Sequence, residues 1–76
     1  MVSGLGTIRH FALEGGFYGI IADDGSKYLP VNLPSQFKVD SLRVEFKGTV
    51  EGCITVVMWG ECIRLSYIRR LYRAIE

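Results

Sequence analysis

An all-β domain is predicted by three features of this chain: apolar residues that alternate with polar ones, glycines that fall between the apolar runs, and an Asp-Asp-Gly turn joining two of them. The clearest strand is Leu42 to Val50. There Leu42, Val44, Phe46, Gly48 and Val50 alternate with Arg43, Glu45, Lys47 and Thr49, so one face is buried and the other is wet.

The other elements follow in order. Thr7 to Leu13 sets Ile8, His10 and Ala12 opposite Arg9, Phe11 and Leu13, a mixed pattern suited to a long strand that bends and serves two sheets, as closed small barrels require. Glu14-Gly15-Gly16 breaks that run, and Phe17 to Ala22 forms the second strand. Asp23-Asp24-Gly25-Ser26 is a hairpin signal, because Asp and Gly supply the left-handed conformations that tight turns need. Lys27 to Val31 returns as the third strand. Pro30 lacks a ladder donor and marks its exit, and Asn32-Leu33-Pro34 starts about one turn of helix over Ser35 to Lys38, with Asn32 or Leu33 near its cap. After the fourth strand, Glu51-Gly52 makes a turn, Cys53 to Met58 runs back, Trp59-Gly60 bends the chain, and Cys62 to Ile68 closes the sheet. At the end, Ile63, Leu65 and Tyr67 keep strand period. Ile68, Leu71, Tyr72 and Ile75 fall at helix period, with Arg69, Arg70 and Arg73 on the other side, so a strand passing into a short C-terminal helix is expected.

Three strands, a short helix, then two or three strands is the chain order of an OB-fold-like barrel of five to six strands. A half-open roll of the SH3 type has similar strand counts, and the position of the Asn32 to Lys38 insertion favours the OB arrangement. A chain of 76 residues is near the lower size limit for independent folding, which implies a single domain over residues 1–76.

Composition restricts function. With 49% apolar residues the chain is too rich in core formers to be disordered, and nine Lys+Arg against eight Asp+Glu leave a net charge of +1, without the global field that draws a protein to nucleic acid or anionic lipid. No apolar run is long enough for a membrane helix, and the N-terminus has no leader pattern, so a soluble, cytoplasmic protein is expected, with a longer or exported parent left open. Cys53 and Cys62 have no companion ligands at zinc spacing. Both are expected to be reduced and buried, a disulfide requiring that their strands be neighbours in register.

The stretch EGGFYGIIADDGSKYLPVNLPSQFKVDSLRVEF, from Glu14 to Phe46, followed by Met58-Trp59-Gly60, resembles a family of small uncharacterised prokaryotic OB-like domains. In that family a GGF[YW]GI strand, a DDG hairpin, a Y-x-P-x-NLP exit and an xWG turn recur in this order. The resemblance covers all but the ends of the chain and implies the fold; no activity comes with it. One departure stands out: Asp40-Ser41-Leu42 replaces the Asp-Gly-Leu common in the family, in a loop whose backbone angle a glycine would serve.

No catalytic constellation is evident, and an enzyme is not expected. His10 is the sole imidazole, and nothing in sequence brings it to a cysteine; a surface strand histidine is the commoner reading. Asp23, Asp24 and Asp40 lack the spacing of a calcium loop, and turn chemistry accounts for the first two. Gly15, Gly16 and Gly19 are not followed by the Lys-Ser/Thr of a phosphate loop. No metal or other cofactor is expected.

The aromatics carry more content. An OB barrel binds ligands across its second and third strands, where Phe17, Tyr18 and Tyr28 lie, and an outward ring beside Arg9, Lys27, Arg43 or Lys47 would stack a base while the cation meets phosphate. Neighbours in a strand face opposite ways, so Phe17 and Tyr18 cannot both be buried without a bulge. Trp59 is expected to plug the barrel end or rest on the helix, or to serve as a partner's hot spot. Arg64, Arg69, Arg70 and Arg73 form a dense basic segment, for which phosphate contact is one reading and a solvated helix face the commoner one; the apolar stripe from Ile68 to Ile75, with Tyr72, offers a second surface for a protein partner or another copy. The functional expectation is a non-enzymatic module binding a protein, with weak single-stranded nucleic-acid binding as the alternative.

Overall fold

A computed structural model describes residues 1–12, 16–53 and 59–71. Five strands form a closed barrel: β1 (Val2–Phe11), β2 (Phe17–Ala22), β3 (Lys27–Pro30), β4 (Arg43–Val50) and β5 (Glu61–Arg70), in the order β1-β2-β3-β5-β4 and back to β1. All neighbours are antiparallel except β3 and β5. This is an OB-like barrel, as the chain order predicts.

The first strand closes the sheet. Its first half, Val2 to Thr7, pairs with β4, and its second half, Gly6 to Phe11, pairs with β2. The strand therefore begins five residues earlier than the apolar pattern suggested, since Gly4 and Gly6 interrupt the alternation there. Gly6 lies where the two ladders overlap, and a Cβ there would come within 2.8 Å of Ile20 Cγ2 and 2.9 Å of the Ile21 carbonyl oxygen. Inside, Ile8, Ile20, Val44, Phe46 and Ile63 are fully buried, each contributing roughly 1.5–3 kcal/mol by leaving water.

The hairpin between β2 and β3 is built by its predicted turn. Gly25 takes φ +93°, its N–H donates to Ala22, and the Ser26 N–H donates to the Asp24 carboxylate at 2.9 Å. The connector after β3 is tied down differently from the expectation. Asn32 is not a helix cap: its side-chain amide donates to the Leu65 carbonyl at 3.0 Å and its oxygen accepts from the Leu65 N–H at 2.8 Å, extending the β3–β5 ladder. The helix is a single 3-10 turn, Ser35–Phe37, capped by Pro34, and Phe37 packs into the core. In the next loop Ser41 adopts φ +73°, the left-handed angle that glycine would take without strain.

The end of the chain corrects a second expectation. Strand β5 runs through Arg70, so no helix starts at Ile68. Lys47 pairs with Tyr67 but Gly48 pairs with Leu65, leaving Ser66 as a bulge. Before the bulge Ile63 and Leu65 point inward; after it the inward phase passes to Ile68, which packs on the core. Of the residues read at helix period, Ile68 lies on β5 and Leu71 directly follows it. The proposed extra strand at Cys53 to Met58 keeps only Cys53 among the described residues, outside any strand, and residues 72–76 lie outside them.

Two predictions follow from this closure. Gly6→Ala should destabilise the barrel by about 1–3 kcal/mol in urea unfolding, through overpacking at the overlap. Asp40, held below the ordinary carboxylate range first by the His10 backbone N–H and then by Arg9, and Asp23, held down by Arg43, bind protons less readily folded than unfolded. Their contribution is present above the unfolded pKa and lost as pH falls through the folded one. Stability should therefore decline below about pH 4, and Asp40→Asn should flatten that decline.

Candidate binding face

Alternation decides what each hairpin residue can do. With Ile8 and Ile20 inside, Arg9 and Phe11 of β1 and Phe17, Gly19 and Ile21 of β2 face outward, and the register sets Arg9 opposite Gly19 and Phe11 opposite Phe17. The Phe11 and Phe17 rings stack at 5.1 Å, 23° from parallel. Trp59 completes the cluster, 5.0 Å from Phe11 and 5.8 Å from Phe17, with the Lys27 ammonium 5.8 Å from the centre of its ring. Aromatic contacts of this kind are worth about 0.5–1.5 kcal/mol beyond burial.

The glycine at position 19 makes room for this arrangement. A Cβ there would overlap Cζ3 and Cη2 of Trp59, so only glycine lets the indole lie against β2. Trp59 thus neither plugs the barrel end nor rests on the helix. Phe11, Phe17 and Trp59 are all half-buried, forming a continuous aromatic surface on the outer wall. Phe17 also borders a cleft of about 310 Å³ that continues past Tyr18 to Leu29 and Leu33, with Lys38 in its lining.

Other site candidates lie elsewhere. Tyr18 and Tyr28 share the inward phase of Ile20 and pack on the core, Tyr28 meeting Phe46 at 5.7 Å, so neither offers a free ring on the outer wall. Arg43 faces outward on β4, where it grips Asp23 through two hydrogen bonds of 2.7 and 2.8 Å and reaches the Thr7 hydroxyl at 2.9 Å. Lys47 sits over Tyr67, 5.8 Å from its centre. Arg69 is on a strand and bonds Glu45 at 2.7 Å; Arg70 is also on β5. Tyr72 and Arg73 fall outside the described residues.

Most of the arginines here are partnered by acids. Arg9 meets Asp40 at 3.5 Å, and Arg64 bonds Glu51 at 2.6 Å. The guanidinium groups of Arg43, Arg64 and Arg69 are pushed above their ordinary range by Asp23, Glu51 and Glu45 respectively. Such exposed pairs add little stability, but they cancel the local positive field. His10 is exposed, its ring 4.7 Å from Tyr18. Among the described residues no cluster of three or more His, Cys, Asp or Glu is placed to hold a metal ion, and no helix is long and apolar enough to cross a membrane.

The cysteines overturn the expectation of two reduced, buried thiols. Cys53 and Cys62 form a disulfide, with Cα atoms 6.2 Å apart; Cys62 is buried and Cys53 is exposed. The Glu51 N–H donates to the Cys62 carbonyl at 2.9 Å, which carries the β4–β5 pairing up to the bridge. No thiol is left for His10 to activate.

Phe11 was missed as a site residue, although its signal was present. It and Phe17 stand on either side of the Glu14-Gly15-Gly16 break, where a hairpin register brings flanking residues face to face. No family model and no curated protein matches the chain, so the geometry of this face carries the functional argument. Gly19→Ala should displace the indole while the barrel still unfolds cooperatively. Trp59 is the only tryptophan, so the displacement should appear as a red shift of intrinsic fluorescence.

Proposed function

We propose that this chain is a non-enzymatic interaction module whose outer aromatic face binds an extended segment of a protein partner. The observation that carries the reading is the Phe11–Phe17–Trp59 surface, half-buried and continuous through Phe17 with the adjoining cleft. It occupies the wall and flanking loops by which OB barrels engage ligands. Rigid aromatics of this type are enriched among interface hot spots because they bury much area at low entropic cost.

Charge favours a peptide over a polyanion. Four arginines are matched by carboxylates, and Lys27 stands beside the rings. A segment with an apolar anchor next to an acidic residue matches that pattern: the anchor meets the rings and the carboxylate meets Lys27. Single-stranded nucleic acid is the second reading, supported by the same pairing of Lys27 with Trp59, since a stacked base needs a ring and a nearby cation.

Displayed random linear peptides selected on the protein, and separately oligo-dT and oligo-U at low salt, test both. Peptides should be enriched in apolar-acidic pairs, shift the amide resonances of Phe11, Phe17, Gly19 and Lys27, and bind Trp59→Ala about thirtyfold more weakly. Oligonucleotides that shift those resonances with a steep salt dependence would establish the second reading instead. If neither probe moves them, the face is not a binding site.

A further inference from the structure

We propose that the Cys53–Cys62 disulfide is a redox latch that holds Trp59 in the aromatic face, so that a dithiol reductant dismantles the face without opening the barrel. Its effect on binding rests on the function proposed above; the latch itself does not.

The three rings are held in different ways. Phe11 and Phe17 are fixed by the β1–β2 ladder, in which they are direct partners. Trp59 belongs to no strand. It lies in the connection from β4 to β5, within the loop of chain that the disulfide closes. At the far end of that loop Gly60 packs on Lys27, where a Cβ would come within 2.7 Å of the carbonyl oxygen. The bridge thus restricts the chain entropy of the segment that carries the indole, and removing it enlarges the set of conformations in which Trp59 leaves Gly19.

The barrel does not share this dependence. The β4–β5 ladder reaches Val50 and Ile63 through backbone pairing, and Glu51 bonds Cys62 without the bridge. The packed core is made of Ile8, Ile20, Val44, Phe46, Ile63 and their neighbours, and neither sulfur is part of that cluster. Breaking the bond therefore acts on the loop first.

Exposure sets the course of the reaction. The thiolate of a dithiol attacks Sγ of exposed Cys53, forming a mixed disulfide as the Cys53–Cys62 bond breaks and the electron pair leaves on Cys62 Sγ, which takes a proton. The reductant's second thiol then attacks its own sulfur in the mixed disulfide and releases Cys53 as a thiolate, which is protonated in turn. The dithiol is oxidised to a disulfide and the protein gains two thiols.

The full chain is compared in its oxidised form, after dithiothreitol, after reoxidation, and as Cys53→Ser, by tryptophan emission and amide resonances. Before reduction, alkylation should find no free thiol. Reduction and Cys53→Ser should both red-shift the emission and move the Gly19 and Lys27 amides, leaving those of Ile8, Ile20, Val44 and Phe46 in place; reoxidation should restore the wild type only. Peptides selected on the oxidised protein should bind the reduced form about tenfold more weakly, through loss of a pre-organised ring. Free thiols before reduction, unchanged emission on reduction, or collapse of every core resonance would each overturn the latch. Emission that shifts in a protein that neither peptides nor oligonucleotides bind leaves the latch standing and removes the binding role, so the two failures are distinguishable.

Discussion

Closure of the sheet on β1 is the constraint from which the rest of the structure follows. One strand must pair with β4 along its first half and β2 along its second, and at the overlap only Gly6 leaves room for Ile20 and the Ile21 carbonyl. Once the sheet is closed there is a single interior, and strand alternation admits every second residue to it. The fully buried set fills that interior, and Phe11 and Phe17, of opposite phase on the same hairpin, are sent to the outer wall.

The connections are where this chain departs from a plain barrel. Asn32 acts as an extra strand position, its amide matching both backbone groups of Leu65. Ser41 accepts a left-handed angle suited to glycine, and Gly48 lets β5 pass beside the Ser66 bulge, where a Cβ would meet the Arg64 carbonyl oxygen at 2.8 Å. Each device serves backbone pairing at a point where regular alternation stops. The bridge between Cys53 and Cys62 acts on the connection instead, closing the loop of chain that carries Trp59.

Much of the fold was legible where the local code and the global packing agree. Leu42 to Val50 alternates, and Arg43–Val50 is a barrel strand; Asp23-Asp24-Gly25 is the hairpin turn; the insertion after Pro30 contains the expected turn of helix. The misreadings share a cause. A bulge at Ser66 shifts phase by one residue, so Ile68 follows Ile63 and Leu65 inward where strict alternation would have put Tyr67, and a single-residue change of phase reassigns every ring on a strand. Strand membership alone points Tyr18 and Tyr28 to the ligand wall, whereas their phase with Ile20 and the hairpin register send them inward.

By itself the sequence determined the all-β class, the order of the elements and the near-neutral charge, because alternation, turn chemistry and composition are properties of neighbouring residues or of their sum. Tertiary structure alone decided that Phe11, Phe17 and Trp59 form one surface, that acids answer Arg9, Arg43, Arg64 and Arg69, and that Cys53 reaches Cys62. Those are contacts between separate segments, and their distances are set by how the sheet closes in space.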